Sequence, residues 1–373
     1  MRCSSSGEEM FQIREKDEKT KARTGVLSTA HGEIETPVFL PVATKGTVKT
    51  LDFSDLEGLG VQGLIVNAFH LWIKGLDSVQ NTGGLHSFMR WDRPIFTDSG
   101  GFQIIRKDFD FKITEEGFVL KSPVDGKKIT YSPEVCMDVH SALGSDVTFV
   151  LDDCPPYRSS MERLRGSVDR TTDWARRCKA MRRGGQEVYA IAQGGTDSEL
   201  RRRSAVELSE IEFDGYGVGG LSIGEPRDEM ISSLEVSVSS LPEKKPKHMM
   251  GVGSPAEVLE SISNGMDIFD SAFPTRNARH GTFYTGKGKF DIKKSGFAKV
   301  KEPLGPGCEC FVCRNYSTSY VHHLFKEKEM LAYRLLSIHN LKMVLDLFAG
   351  VRMSIKENKF STFAEEYLSE FTT

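Results

Sequence analysis

Four polar side chains in this sequence close short apolar runs, and their types suggest chemistry. Residues 266–269 are apolar except for one aspartate, and they end in Asp270, with Arg276 and Arg279 close behind. A carboxylate at the end of a buried strand is costly unless it is paired or working. The plain reading is an aspartate that turns the chain, with solvated arginines. The reading favoured here is a nucleophile, Asp270, under a polyanion held by the arginines. Other runs that end alike favour it. Residues 94–96 run into Thr97-Asp98-Ser99-Gly100-Gly101-Phe102, residues 146–151 into Asp152-Asp153-Cys154, and residues 188–192 into Gln193-Gly194-Gly195. Two separated carboxylates, Asp98 and Asp270, suit displacement at a sugar carbon. An aspartate with a glutamine, Asp152 and Gln193, suits a base with donor and acceptor edges, as guanine has. Glycine-rich strand ends at Gly219-Gly220-Leu221 and Gly251 let a flat ring lie on backbone, and Phe102 with Met250 could sandwich it. Cys154 stands beside two prolines with no evident histidine partner, so it reads as lining the pocket.

A second group is Cys308, Cys310 and Cys313. The other cysteines, Cys3, Cys136, Cys154 and Cys178, are scattered, and the total of seven is odd. That is a metal cluster rather than a disulfide framework. The fourth ligand is sought among His322, His323 and His339. Three thiolates and one imidazole make a closed tetrahedral site, hence one structural zinc.

These groups need a scaffold that brings strand ends together. Eight short apolar runs, at 36–43, 61–66, 94–96, 146–151, 188–192, 215–218, 248–250 and 266–269, each end in glycine or polar residues. Most gaps between them carry helical patterns. Ser132-Pro133-Glu134 opens one helix, and Thr196 to Glu199 and Ser254 to Glu257 have the spacing of capping boxes. Strand then helix, eight times, predicts an α/β fold, the (β/α)8 TIM barrel, with its site at the C-terminal strand ends. Continuous apolar runs fit strands buried on both faces. Residues 107–128 break the rhythm as a β-hairpin insertion after the third strand, turning at Asp125-Gly126. The expected divisions are a polar, strand-poor extension at 1–24, the barrel at 25–285, a zinc-binding subdomain at 286–350 and a C-terminal helix on the barrel at 351–373. Residues 327–347 read as a long helix.

A net charge of -3 does not announce a nucleic-acid binder, so any RNA surface must be a local patch. No apolar run is long enough to cross a bilayer, and the first residues lack the apolar core of a signal peptide. The cytosol is the expected compartment, with no membrane partner. Arg201-Arg202-Arg203 and Arg176, Arg177, Arg182 and Arg183 read as solvated helix faces. Arg276, Arg279 and Arg314 are better RNA candidates. Asn67 and His70 read as holding the barrel rim.

The chain resembles the tRNA-guanine transglycosylases of the queuosine branch. The resemblance runs from about Gly25 to the C-terminus. It is carried by residues 36–43, Phe96 to Gln103, Asp152-Asp153-Cys154, Gln193 to Gly195, Gly219 to Glu225, Met250 to Gly253, residues 266–279 and the cysteine cluster. It implies exchange of guanine at the anticodon wobble position of G-U-N tRNAs (Asp, Asn, His, Tyr) for a 7-deazaguanine base. Asp270 would be the nucleophile on ribose and Asp98 the general acid/base. Asp152 would read the base edge, with Ser99, Gln193 and the Gly220 amide completing the pocket. Leu221 would offer its carbonyl, Phe102 and Met250 would stack on the base, and Gly251 would line the strand end. Thr275, Arg276 and Arg279 would meet RNA. The family pattern selects His339 as the fourth zinc ligand, leaving His322 and His323 as loop or RNA-facing residues. A homodimer is implied too. Departures are Ala68-Phe69, Asp153 and Ser271, where many members have Thr-Tyr, Glu and Cys. Cys154 and Ile223 resemble bacterial members that take 7-aminomethyl-7-deazaguanine. Queuine insertion, an archaeosine-type or DNA target, and a non-catalytic accessory subunit are the alternatives. Retention of both carboxylates and the lack of further C-terminal domains weigh against the last and the archaeosine version.

Overall fold

The computed structural model describes residues 10–106, 110–183 and 185–371. The first nine residues, Cys3 among them, and the opening of the insertion at Lys107 lie outside the described residues. The strands are β1 (Phe11–Lys16), β2 (Arg23–Thr29), β3 (Gly32–Thr36), β4 (Val38–Pro41), β5 (Leu64–Asn67), β6 (Ile95–Asp98), β7 (Phe111–Thr114), β8 (Gly117–Lys121), β9 (Lys128–Tyr131), β10 (Val147–Phe149), β11 (Glu187–Ala192), β12 (Gly215–Val218), β13 (Lys247–Met249), β14 (Ile268–Ser271), β15 (Thr282–Thr285) and β16 (Gly288–Asp291).

Eight of these form one parallel sheet in the order β4-β14-β13-β12-β11-β10-β6-β5. A bridge from Val42 to Ile65 joins β4 to β5 and closes the barrel. Each expected apolar run supplies one barrel strand. The period of two then sorts side chains. Ile65, Phe96, Val147, Phe149, Tyr189, Ile191 and Ile268 fill the interior in one cluster, while Ile95, Met249 and Phe269 pack outward with the helices. Two residues beyond the inner Ile65, Phe96, Ile191 and Ile268 come Asn67, Asp98, Gln193 and Asp270. The alternation therefore carries four polar side chains to the barrel mouth.

Residues 10–24 differ from the strand-poor expectation. Strand β1 pairs with β2 and β2 with β3, both antiparallel. Phe11, Leu27 and Ile34 join the barrel-interior cluster, so this sheet plugs the end opposite the site. Arg23 fastens it, with Nε 2.8 Å and Nη2 2.7 Å from the two carboxylate oxygens of buried Asp267. The polar faces of β1 and β3 hid these strands, since only alternate residues are apolar.

The insertion after the third barrel strand is a three-stranded meander, β7-β8-β9, one strand more than the expected hairpin. Asp125-Gly126 lies in its second turn, where Gly126 N donates to Ser122 O at 2.9 Å. Two expected caps shift. Asp197 rather than Thr196 caps the helix Ser198–Ile211, its carboxylate accepting from Leu200 N, and Ser254 makes no side-chain cap bond. Ser132 caps as expected, with Pro133 in the first turn.

A 27-residue helix, Met330–Lys356, extends beyond the expected 327–347. Its Phe348 meets Phe39 of β4 and Phe269 of β14 at ring distances of 5.9 and 5.4 Å. Burying an aromatic ring of this kind contributes about 1.5–3 kcal/mol. None of the described helices is long and apolar enough to cross a membrane.

Candidate active site and metal centre

The nucleophile candidate sits at the end of β14. Asp270 Oδ1 receives two hydrogen bonds, from His248 Nε2 at 2.9 Å and from Gly251 N at 3.1 Å. Gly251 adopts φ +75, a left-handed conformation that glycine takes without strain. Ser271 Oγ ties the same loop by donating to Gly251 O at 3.2 Å.

Asp98 ends β6 next to Asn67 in the strand register. Asn67 Nδ2 donates to Asp98 Oδ1 at 2.7 Å, while Asn67 Oδ1 caps the following helix by accepting from His70 N. Asn67 therefore orients a catalytic candidate and does more than brace the rim. Burial pushes the Asp98 carboxyl well above the usual range, and the charges of Asp270 and Asp152 add to the rise against the Asn67 bond. A carboxyl raised in this way is biased towards its protonated form, from which it can give a proton to a leaving group.

Asp152, Gln193 and Ser99 form one buried network. Gln193 Nε2 donates to Asp152 Oδ2 at 2.7 Å, and Ser99 Oγ to Asp152 Oδ1 at 3.3 Å. Burial raises the Asp152 carboxyl to about 6. Gln193 Oε1 is buried without a hydrogen-bond partner. An orphan acceptor beside a carboxylate fits a ligand that brings N–H groups, as guanine does. Tyr131 of β9 donates to Ser99 O at 2.9 Å, so the meander steadies this strand end.

Backbone closes the pocket's other side. A Cβ on Gly220 would stand 2.6 Å from Gln193 Oε1 and 3.4 Å from Cys154 Sγ, so any side chain there would fill the pocket. Burial pushes the Cys154 thiol well up, which leaves it a lining group and not a nucleophile. Leu221 is buried and Ile223 half-buried on the next turn, where Glu225 accepts from the amides of Ser222 and Ile223. Met250 is half-buried, with Sδ 3.2 Å from where a Gly217 Cβ would be, and Phe102 is half-buried in the helix Gly101–Arg106.

One residue expected in solvent is buried instead. Arg201 is 0% exposed. Its guanidinium donates to Gly195 O at 2.7 Å, Ala192 O at 3.2 Å, Gly219 O at 2.8 Å and Gly220 O at 3.4 Å. Burial lowers it to about 10, still charged at neutral pH. It pins the two glycine loops of the pocket from behind. The signal was its spacing with Leu200, Ser204, Ala205 and Leu208, the buried face of that helix. By contrast, Arg177, Arg182 and Arg183 pair with Glu134, Asp214 and Asp138 on the outside. Asp153 is also structural, held by Arg163 and Arg170.

Beyond Asp270 the short helix Phe273–Arg279 carries the RNA candidates. Thr275 is buried and accepts from Arg279 Nη1 at 3.2 Å, while Arg276 is exposed. Lys45 and Lys49, which the sequence did not single out, share this rim. Burial and then the charges of Arg279, Lys45 and Arg276 push the Lys49 ammonium down. Arg314 is exposed and pairs with Glu309.

Cys308, Cys310, Cys313 and His339 come together, with ligand atoms within 4.8 Å of one another. The three Sγ atoms lie 3.7, 3.7 and 3.3 Å from His339 Nδ1. A tetrahedral zinc with its usual bond lengths sets sulfur and nitrogen about 3.5 Å apart. His339 Nε2 bonds Tyr284 O at 2.7 Å, which leaves Nδ1 to the metal side. The residues fit a structural zinc. His322 is a buried core residue on Ile292 O at 2.6 Å, not an RNA-facing one, and His323 is exposed.

The sequence model of a family described as Queuine tRNA-ribosyltransferase matches residues 17–373. Among curated relatives, the queuine tRNA-ribosyltransferase of Pelotomaculum thermopropionicum is 44% identical over 363 residues, 97% of this chain and 98% of the relative. That of Moorella thermoacetica is 44% identical over 97% of this chain and 98% of its own, and that of Fusobacterium nucleatum 43% over the same shares.

Proposed function

Because the chain belongs to the queuine tRNA-ribosyltransferase family, a family of pentosyltransferases that modify tRNA, we propose that it exchanges the wobble guanine of G-U-N tRNAs for a 7-deazaguanine by double displacement. The observation that carries this reading is the division of labour between two carboxyls at one barrel mouth. Asp270 is held by two donors on one oxygen, and Asp98 is pushed towards its protonated form.

The wobble nucleotide is extruded from the anticodon loop. An Asp270 oxygen bonds to ribose C1′ as the C1′–N9 bond breaks, and Asp98 gives its proton to the departing guanine. The incoming base then loses its N9 proton to Asp98, its N9 attacks C1′, and the C1′–O bond returns its electron pair to Asp270. Two inversions retain configuration. Asp152, Ser99, Gln193 and the Gly220 amide read the base edge, while Leu221, Phe102, Met250 and Gly251 line it. Thr275, Arg276 and Arg279 engage the phosphate backbone.

The base is proposed to be 7-aminomethyl-7-deazaguanine, in queuosine biosynthesis, on the pairing of Cys154 with Ile223. Zinc, when bound by Cys308, Cys310, Cys313 and His339, supplies structure rather than chemistry. A homodimer in the cytoplasm completes the proposal.

The test loads labelled guanine into a G-U-N tRNA. It is chased with 7-aminomethyl-7-deazaguanine, queuine and 7-cyano-7-deazaguanine. Fastest release by the first is expected. Fastest release by queuine would reassign the base, and no release by any would overturn the function.

A further inference from the structure

His248 raises a question that the reaction above does not answer. It lies on β13, is 0% exposed, and sits among aromatic rings in the barrel interior. The ring centroids of Phe149 and Phe96 are 5.1 and 6.1 Å away, both edge-on. A histidine kept there for packing would satisfy both nitrogens. This one satisfies only Nε2, on Asp270 Oδ1, and Nδ1 is buried with no partner.

The hydrogen's place follows. An ionised carboxylate only accepts, so Nε2 must carry the hydrogen. His248 is thus a one-sided donor, bound through Nε2 alone. Gly251 N donates to the same Oδ1, and Oδ2 accepts no hydrogen bond among the described residues.

We propose that His248 is a positioning residue for Asp270, fixing Oδ1 with the Gly251 amide so that Oδ2 is the atom that bonds to the ribose. The proposal rests on the reading of Asp270 as nucleophile and goes beyond it by assigning the two oxygens. A free carboxylate turns about Cβ–Cγ and offers either oxygen. Two donors on one oxygen stop that rotation. In the covalent state Oδ1 is the ester carbonyl. When the C1′–Oδ2 bond breaks, its electron pair spreads over both oxygens, and the two donors meet the charge on Oδ1.

The test compares His248→Leu, His248→Gln, His248→Asn and Asp270→Asn in the guanine-exchange assay. Leu removes the donor. Gln carries its amide to the reach of Nε2, and Asn only to that of Nδ1. We expect His248→Leu to stay folded, with kcat down roughly 10- to 100-fold and KM for tRNA within about twofold. His248→Gln should recover most of kcat and His248→Asn should not. Wild-type kcat in His248→Leu would overturn the proposal. If His248→Leu does not fold, equal activity of the Gln and Asn variants would overturn it instead. Exchange by Asp270→Asn would mark a different failure, that of the nucleophile reading itself.

Discussion

Asp152 and Asp98 share a barrel mouth, and both carboxyls are raised by burial, yet the proposed reaction asks opposite things of them. Asp152 must be ionised to accept from the N–H groups of guanine. Asp98 must be protonated to release it. Activity is therefore expected to rise with pH through about 6, the value for Asp152, and to fall again as pH climbs through the raised value of Asp98. A pH profile of kcat/KM for tRNA, which reports the guanine-release step, checks this, and Asp152→Asn should lose the acidic limb while keeping the alkaline one. The same shift has a sign for stability. A folded pKa raised from 3.8 to about 6 means the folded state holds the proton more tightly, so stability is greater below that range and falls as pH rises through it. By linkage the cost at neutral pH is ~3 kcal/mol. That is the cost of ionising Asp152 in its buried site, and a ligand that brings N–H groups to it would offset it. At this scale the sequence was informative about Asp98, Asp152, Gln193 and Asp270, since each closes an apolar run. It read Asn67 only as a rim residue and was silent on His248; both roles come from a neighbouring strand.

The strands were legible because barrel strands are buried on both faces and read as unbroken apolar runs. Strands β1 to β3 were not, because they carry few apolar residues: Phe11 and Ile13 in β1, Val26 and Leu27 in β2, and Ile34 alone in β3. Arg201 was misread for a related reason. Three arginines in a row look solvated, but helix geometry turns only the first of them inward. The helix Met330–Lys356 links the two halves of the molecule. His339 on it faces the cysteines, and its neighbour Asn340 donates to Pro274 O at 3.1 Å and Thr282 O at 2.8 Å. The metal-site histidine and the residue that holds the helix Phe273–Arg279 are thus neighbours on one helix. Metal analysis is expected to return one zinc per chain. Removing it by chelation, or with Cys313→Ser, should raise KM for tRNA at least several-fold while base affinity changes less. Equal loss of both would contradict this division.

Across the whole molecule, a chain with net charge -3 must bind a polyanion through a local patch. Lys45, Lys49, Arg276 and Arg279 lie close enough to feel one another's charge and are the proposed patch, while Arg177, Arg182 and Arg183 pair with neighbouring acids. Arg276→Ala with Arg279→Ala should weaken tRNA binding and flatten its salt dependence, the slope of log K against log salt losing about 1–2. Arg183→Ala should leave the slope unchanged. The plug of β1 to β3 closes one end of the barrel and leaves the carboxylates at the other.

The most direct measurement is of the covalent bond itself. The full chain is mixed with G-U-N tRNA, quenched by denaturation, and the adduct is digested and mapped by mass spectrometry. The account predicts a ribose-linked peptide modified at Asp270, absent from Asp270→Asn and discharged when a 7-deazaguanine base is added before the quench. An adduct on another residue, or steady exchange by Asp270→Asn, would contradict it.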